Sequence, residues 1–207
     1  MDVAIPIFDR ITALDAVGPY EVLSRLPGAT VRFIAERPGP YRTDNGQLAL
    51  MADASLDDVP APEIVLVPGG FGTRELLGNS AFLDWVHAAH ATSHWTTSVC
   101  TGSLVLAAAG VLDGVEATTH WASMQLLGEL GAVPVERRVV EVGKVITAAG
   151  VSAGIDMALL LAARLAGDRV AQAIQLSIEY DPQPPFDAGS LRTAPAAVVA
   201  LVRRGLR

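Results

Sequence analysis

The sequence predicts an α/β fold, a three-layer sandwich around a mainly parallel central sheet, and three observations carry that prediction. Two short, almost continuously apolar runs, residues 3–8 and 63–67, have strand length and suit a sheet buried on both faces. Segments with helical spacing of apolar residues alternate with such runs along the chain. The stretches richest in chemistry follow strands, at the edge where open parallel sheets bind ligands.

Composition narrows the function classes. The 207 residues are 51% hydrophobic and 18% charged, enough for one large core and short for two, so residues 1–207 are expected to form a single domain. A formal charge of −7 argues against nucleic acid, which demands clustered Lys and Arg. The single cysteine, Cys100, excludes an internal disulfide and any multi-cysteine metal site. The amino terminus lacks the basic region and cleavage site of a signal peptide. The longest apolar stretch, residues 155–163, contains Asp156 and is too short for a bilayer. A cytoplasmic protein with no membrane partner is the expectation.

The elements follow in order. Residues 3–8 form the first strand, closed by Asp9 and Arg10. Residues 13–26 have helical spacing (Leu14, Val17, Val22, Leu23, Leu26) and stop at Pro27-Gly28. Gly18-Pro19 is a breaker pair inside that segment, so the helix is expected to start late or kink near Asp15. A carboxyl there is either a solvated helix-start residue or an acid whose pKa is raised by partial burial. Residues 30–35 are the second strand, and Asp44-Asn45-Gly46-Gln47 turns a small hairpin. Residues 63–67 lead into Pro68-Gly69-Gly70-Phe71-Gly72, which lacks the lysine of a phosphate loop and reads as a loop of backbone N–H donors. An amphipathic helix over 80–91 takes Ser80 as its cap. His87, His90 and His94 are spaced three and four apart there, yet no carboxylate or cysteine completes a metal set.

Later in the chain, residues 115–118 are a short strand, and Thr119-His120-Trp121 opens a helix to residue 130. Residues 138–142 and 144–147 pair as a hairpin through Gly143, and helices cover 152–165 and 168–179. Residues 180–189 set Pro182, Pro184 and Pro185 among Tyr180, Phe186 and Asp187, a mix that suits a lid or an interface. A helix with exposed arginines closes the chain at 194–206.

The chain is organised around Thr96-Thr97-Ser98-Val99-Cys100-Thr101-Gly102-Ser103, a strand that turns tightly into a helix with the cysteine at the corner. Small-x-nucleophile-x-Gly is the cysteine counterpart of the nucleophile elbow: Ser98 and Gly102 let strand and helix approach and push the corner residue into an open site. Helix-start N–H groups and the helix dipole favour a thiolate, which predicts a thiol pKa lowered to roughly 3.5–7.5. The same donors hold negative charge that develops on a substrate. A lone cysteine is otherwise a small buried hydrophobe. Convergence separates the two readings, because Cys100, the Gly69-Gly70 loop and the Asp15 segment all follow strands on one edge.

Pro68-Gly69-Gly70, Val99-Cys100-Thr101-Gly102, Ala117-Thr118-Thr119-His120-Trp121 and Ser152-Ala153-Gly154-Ile155-Asp156 together resemble the DJ-1/PfpI superfamily. Within it, Leu14-Asp15-Ala16-Val17-Gly18-Pro19 and Tyr180-Asp181-Pro182-Gln183-Pro184-Pro185-Phe186 resemble the isonitrile hydratase-like subgroup. The resemblance spans residues 3–189. It implies a flavodoxin-like, class I glutamine amidotransferase-like fold and a homodimer with each active site near the subunit interface. It also implies a lyase that hydrates isonitriles to N-substituted formamides with no metal or organic cofactor. Carried over by residue, Cys100 is the nucleophile, Asp15 the acid facing it, and Thr101 a polar neighbour of the sulfur. Gly70 and Thr101 supply backbone donors to the substrate, and His120 matches a family histidine that either tunes the site or is structural.

One departure from the family pattern is Thr101, where many members carry His directly after the cysteine; no Cys-His dyad forms there, which disfavours peptide hydrolysis. Asp15 in place of the usual Glu matches the hydratases. Three other functions compete: a glyoxalase-type enzyme working through a hemithioacetal on Cys100, a small-molecule sensor domain like those fused to helix-turn-helix regulators, and a redox-responsive protein whose Cys100 oxidises to a sulfinate.

Overall fold

The computed structural model describes residues 1–205, so Leu206 of the expected terminal helix lies outside the described residues. The chain enters directly into β1 (Asp2–Pro6), buried over its last four positions, and then α1 (Ala13–Leu23). β2 (Thr30–Ala35) pairs parallel with β1. The hairpin predicted around Asn45 forms between β3 (Gly39–Arg42) and β4 (Ala49–Ala52). The two-residue β5 (Ala54–Ser55) lies along β2. β6 (Ile64–Val67) is buried at every position and runs through the glycine-rich turn into a single helical turn, α2 (Thr73–Leu76). Four residues are too few to show a helical period, so α2 had no signal in the sequence.

α3 (Ser80–Thr92) is capped by Asn79, not Ser80: Asn79 is the last extended residue, and its side chain accepts from the Phe82 N–H. β7 (Trp95–Val99) turns at Cys100 into α4 (Gly102–Ala108). β8 (Glu116–Ala117) pairs with β9 (Val133–Pro134). Between them, where one helix was expected, lie a 3-10 turn (Trp121–Ser123) and α5 (Met124–Glu129). The His120 side chain accepts the Ala122 N–H and so tightens that first turn. β10 (Val139–Val142) and β11 (Val145–Ala148) are the expected hairpin. α6 (Ala153–Ala166), α7 (Asp168–Ser177) and α8 (Ala196–Gly205) complete the described chain.

The central sheet has the order β10-β11-β7-β6-β1-β2-β5, and every neighbouring pair except β10–β11 is parallel. α1, α6 and α7 pack together, α2 to α5 form a second group, and α4 and α6 both meet β7, which gives the three predicted layers. No helix among the described residues is long and apolar enough to cross a membrane.

Gly18-Pro19 does not delay α1, which begins at Ala13 and runs through Pro19. The pair exists for contact with α6. A Cβ on Gly18 would sit 3.1 Å from Ile155 Cγ1, and a Cβ on Gly154 would sit 3.1 Å from Pro19 Cγ. Small residues on both helices therefore let α1 and α6 cross closely, which holds Asp15 in the first turn of α1 over the sheet edge.

Candidate active site

β11, β7, β6 and β1 are neighbours, and the segments leaving their carboxyl ends meet. After β1 the chain lies along the glycine turn: Ile11 bridges to Gly70, and the Thr12 N–H donates to the Gly69 carbonyl at 3.0 Å. α1 starts immediately afterwards, so its first turn carries Asp15 to the end of β7.

Cys100 occupies the corner with a φ of +56°, a left-handed conformation that costs a residue with a Cβ about 1 kcal/mol. The surroundings hold it there. Its N–H donates to the carbonyls of Ala148 and Ala149 at 3.1 and 3.0 Å, and its carbonyl accepts from Ser103 Oγ at 3.1 Å and Thr119 Oγ1 at 2.9 Å. At Gly102 a Cβ would lie 2.0 Å from the Val67 carbonyl oxygen, so only glycine lets α4 start against β6. Ser98 is fully buried and its Oγ has no hydrogen-bond partner.

The corner is not open, for Cys100 is only 6% exposed. The N–H groups of Val151 and Thr101 face the sulfur and favour a thiolate, but burial and the Asp15 charge outweigh them and push the thiol up to about 12. The predicted lowering is thus reversed. Helix-start donors are present as expected; what composition and spacing hid is that a carboxylate and an apolar wall share the same space.

Asp15 is fully buried, which decides between the two readings of that carboxyl. Its Oδ2 accepts the Gly69 N–H at 3.0 Å, while Oδ1 has no hydrogen-bond partner. Burial raises its pKa to about 7, against the lowering influence of the Gly69 N–H and the Cys100 side chain. The two groups titrate as a pair, and between about 7 and about 12 that pair carries one proton.

Thr101 Oγ1 accepts the Gly70 N–H at 3.0 Å, so the backbone donor expected to meet substrate at Gly70 is occupied by Thr101. Gly69 is a close-approach glycine: a Cβ there would lie 2.6 Å from Thr101 N and 2.8 Å from both Asp15 Oδ2 and Thr101 Oγ1. Acid and hydroxyl therefore flank the same bare backbone. His120 is half-buried beside Gly150, where a Cβ would meet its Cδ2 at 2.7 Å. Its Nδ1 accepts the Ala122 N–H at 3.3 Å, which leaves the ring proton on Nε2. Burial and the Arg74 charge hold its pKa below the usual histidine value, so it is neutral at pH 7.

The other histidines are engaged separately. His87 Nδ1 meets the Ala109 carbonyl, His90 Nδ1 meets Thr96 Oγ1, and His94 lies near Glu63. Among the described residues no group of three or more His, Cys, Asp or Glu is placed to hold a metal ion. Three residues around the site had no signal in the sequence: Val151, at a φ of +36°, and Thr73 and Arg74 of α2.

Comparison with known proteins places this arrangement among relatives. A family model described as the DJ-1/PfpI family matches residues 1–164. An isonitrile hydratase from Pseudomonas putida is 44% identical over 204 residues, covering 99% of this chain and 89% of that protein. The HTH-type transcriptional regulator CdhR of Pseudomonas aeruginosa is 29% identical over 180 residues, 85% of this chain but 52% of the regulator. A solved structure of a THiJ/PfpI family protein from Pseudomonas syringae superposes with a TM-score of 0.95 at 38% identity, covering 99% of this chain and 86% of that one.

Proposed function

The chain belongs to the DJ-1/PfpI family, and we propose that it is an isonitrile hydratase in which Cys100 is the nucleophile and Asp15 the acid and base. One observation carries this reading: the carboxyl of Asp15 is buried against the only thiol of the chain, with Oδ1 free of any other partner. The 44% identity to a protein named isonitrile hydratase supports it.

The chemistry asks for such a pair. The terminal carbon of an isonitrile carries a lone pair and becomes electrophilic once it is protonated. Hydration therefore needs an acid and a nucleophile aimed at one carbon. Above about pH 7 the pair holds one proton, which rests on the sulfur; its passage to Asp15 leaves a thiolate held by the N–H groups of Val151 and Thr101. Asp15 gives its proton to the terminal carbon as Cys100 Sγ bonds to it, and the product is a thioimidate on the enzyme. Asp15, now ionised, draws a proton from water. The hydroxide adds to the thioimidate carbon and the nitrogen takes the proton. Collapse breaks the C–S bond, returns one proton to the pair and releases the N-substituted formamide. Side chains and water account for every atom.

Thr101 stands beside both groups and Gly70 anchors it, while His120, neutral, lies against Gly150, next to Val151. A homodimer and a cytoplasmic location belong to the same proposal. α8 supports the dimer, because none of its side chains is buried in the protomer and Leu201 is 61% exposed. The regulator similarity favours a second reading, a sensor domain that binds a small molecule at Cys100 without turnover.

A formamide-product assay with a small alkyl isonitrile decides between them. The protein should produce formamide, and Cys100→Ala should lose about a thousandfold or more of the rate while keeping its fold. Ligand binding without product favours the sensor. Lactate from methylglyoxal with no formamide from isonitriles favours the glyoxalase-type enzyme.

A further inference from the structure

We propose that the Arg74 guanidinium is an anion subsite beside Cys100, and that the isonitriles taken here carry a carboxylate close to the reacting carbon. The inference rests on the hydratase reading and narrows its substrate class. It starts from how the arginines are partnered. Arginines elsewhere, Arg10, Arg138 and Arg164 among them, pair with carboxylates. Arg74 is held only by hydroxyls: its Nη1 donates to Thr73 Oγ1 at 3.1 Å and its Nη2 to Ser123 Oγ at 3.0 Å. Among the described residues no carboxylate forms an ion pair with it. A guanidinium carries more N–H donors than these two hydroxyls take up.

The two anchors place that cation. Thr73 belongs to α2, and its Oγ1 lies 3.1 Å from Oγ1 of Thr101, the residue that follows Cys100. Ser123 ends the 3-10 turn that follows His120, and its N–H donates to the His120 carbonyl at 2.8 Å. One anchor therefore touches the nucleophile corner and the other the His120 turn. The charge of Arg74 couples to both: it is attracted to the Cys100 sulfur and disfavours a protonated His120.

Packing takes enough water from the guanidinium to hold its pKa below the usual arginine value, yet the residue remains exposed to an incoming ligand. A partly desolvated cation without a counter-ion costs stability, and an anionic ligand supplies the counter-ion. The need for a fixed cation is plain from the surroundings. The chain carries a formal charge of −7, and the Asp15–Cys100 pair is itself negative above about pH 7, so an anionic substrate is otherwise repelled. A planar fork of N–H donors matches the two oxygens of a carboxylate. The substrate class is thus the isocyano carboxylic acids, with the terminal carbon at Cys100 and the carboxylate at Arg74.

The test compares alkylation of Cys100 by iodoacetate and by iodoacetamide at about pH 8. In both reactions the thiolate displaces iodide and a C–S bond forms; the reagents differ in charge. Any effect of Arg74 on the thiolate itself cancels in the ratio of the two rates. In Arg74→Gln the ratio of iodoacetate to iodoacetamide should fall about tenfold. Arg203→Gln, which removes the cation lying over Trp121, should leave it unchanged. An unmoved ratio in Arg74→Gln, or an equal fall in Arg203→Gln, overturns the inference. If Arg74→Gln does not fold, the salt dependence of the parent decides. Attraction to a fixed cation makes the ratio fall as salt rises, and a ratio that is flat or rises refutes the subsite. With substrates, isocyanoacetate should show a lower KM than its methyl ester, and Arg74→Gln should erase that difference. A parent protein with the lower KM for the ester overturns the substrate class. Absence of formamide from both compounds counts against the hydratase reading alone, because the alkylation ratio still decides whether Arg74 holds a carboxylate.

Discussion

Replacing Asp15 with Asn should abolish hydration and, at the same time, make the protein more resistant to alkaline conditions. The folded-state pKa of Asp15 is raised from 3.8 to about 7 by burial. The native state therefore binds that proton more tightly than the unfolded chain does. The associated stability is fully present below the unfolded value and is lost as pH rises through about 7. At 1.36 kcal/mol per unit, the parent protein should lose about 3 kcal/mol from this group between about pH 5 and about pH 8.5. The Asn variant has no charge to bury and should not show that loss. Its amide still accepts the Gly69 N–H, although its NH2 enters a position with no acceptor, at a cost of about 1–3 kcal/mol that is independent of pH. Urea unfolding at both pH values, at one fixed protein concentration, measures the effect. With a slope of roughly 2 kcal/mol per molar urea, the parent midpoint should drop by about 1–1.5 M more than that of the variant. Parallel midpoints for the two proteins would refute the buried, proton-holding carboxyl and the acid–base role built on it.

Two further outcomes follow from the same geometry. kcat/KM should rise with pH through about 7, as the Asp15–Cys100 pair drops from two protons to one, and then stay level into the alkaline range; a rate equal at both ends of that transition contradicts the shared-proton scheme. Gly102→Ala places a methyl 2.0 Å from the Val67 carbonyl oxygen, so thermal or urea unfolding should show a loss of about 3 kcal/mol or more. A variant as stable as its parent would mean that β6 and α4 do not approach as closely as described.

The cap of α3 shows how finely local sequence resolves. Asn79 and Ser80 are both good caps, and the choice depends on which residue is the last extended one, a backbone fact that side-chain preference leaves open. Gly18-Pro19 is the opposite case, since a breaker by local rules is here the surface that α6 needs. Among the candidate site residues, Cys100 and Thr101 were legible because they sit at a strand-to-helix corner, and Asp15 through the resemblance of Leu14-Asp15-Ala16-Val17-Gly18-Pro19 to the family pattern. Thr73 and Arg74 were not, because a four-residue helix leaves no period. Val151 was not, because nothing in its side chain announces a positive φ.

By itself the sequence determined the alternation of strands and helices, the sharp corner at Cys100 and the edge of the sheet on which the chemistry gathers. These are properties of neighbours along the chain: apolar periods, turn residues and glycines where backbones touch. Protonation was decided only by tertiary structure. A thiol at a helix start is acidic in water, but here the fold removes the water and sets a buried carboxyl from a segment 85 residues earlier against the sulfur, and two groups that cannot both carry charge in that space come to share one proton.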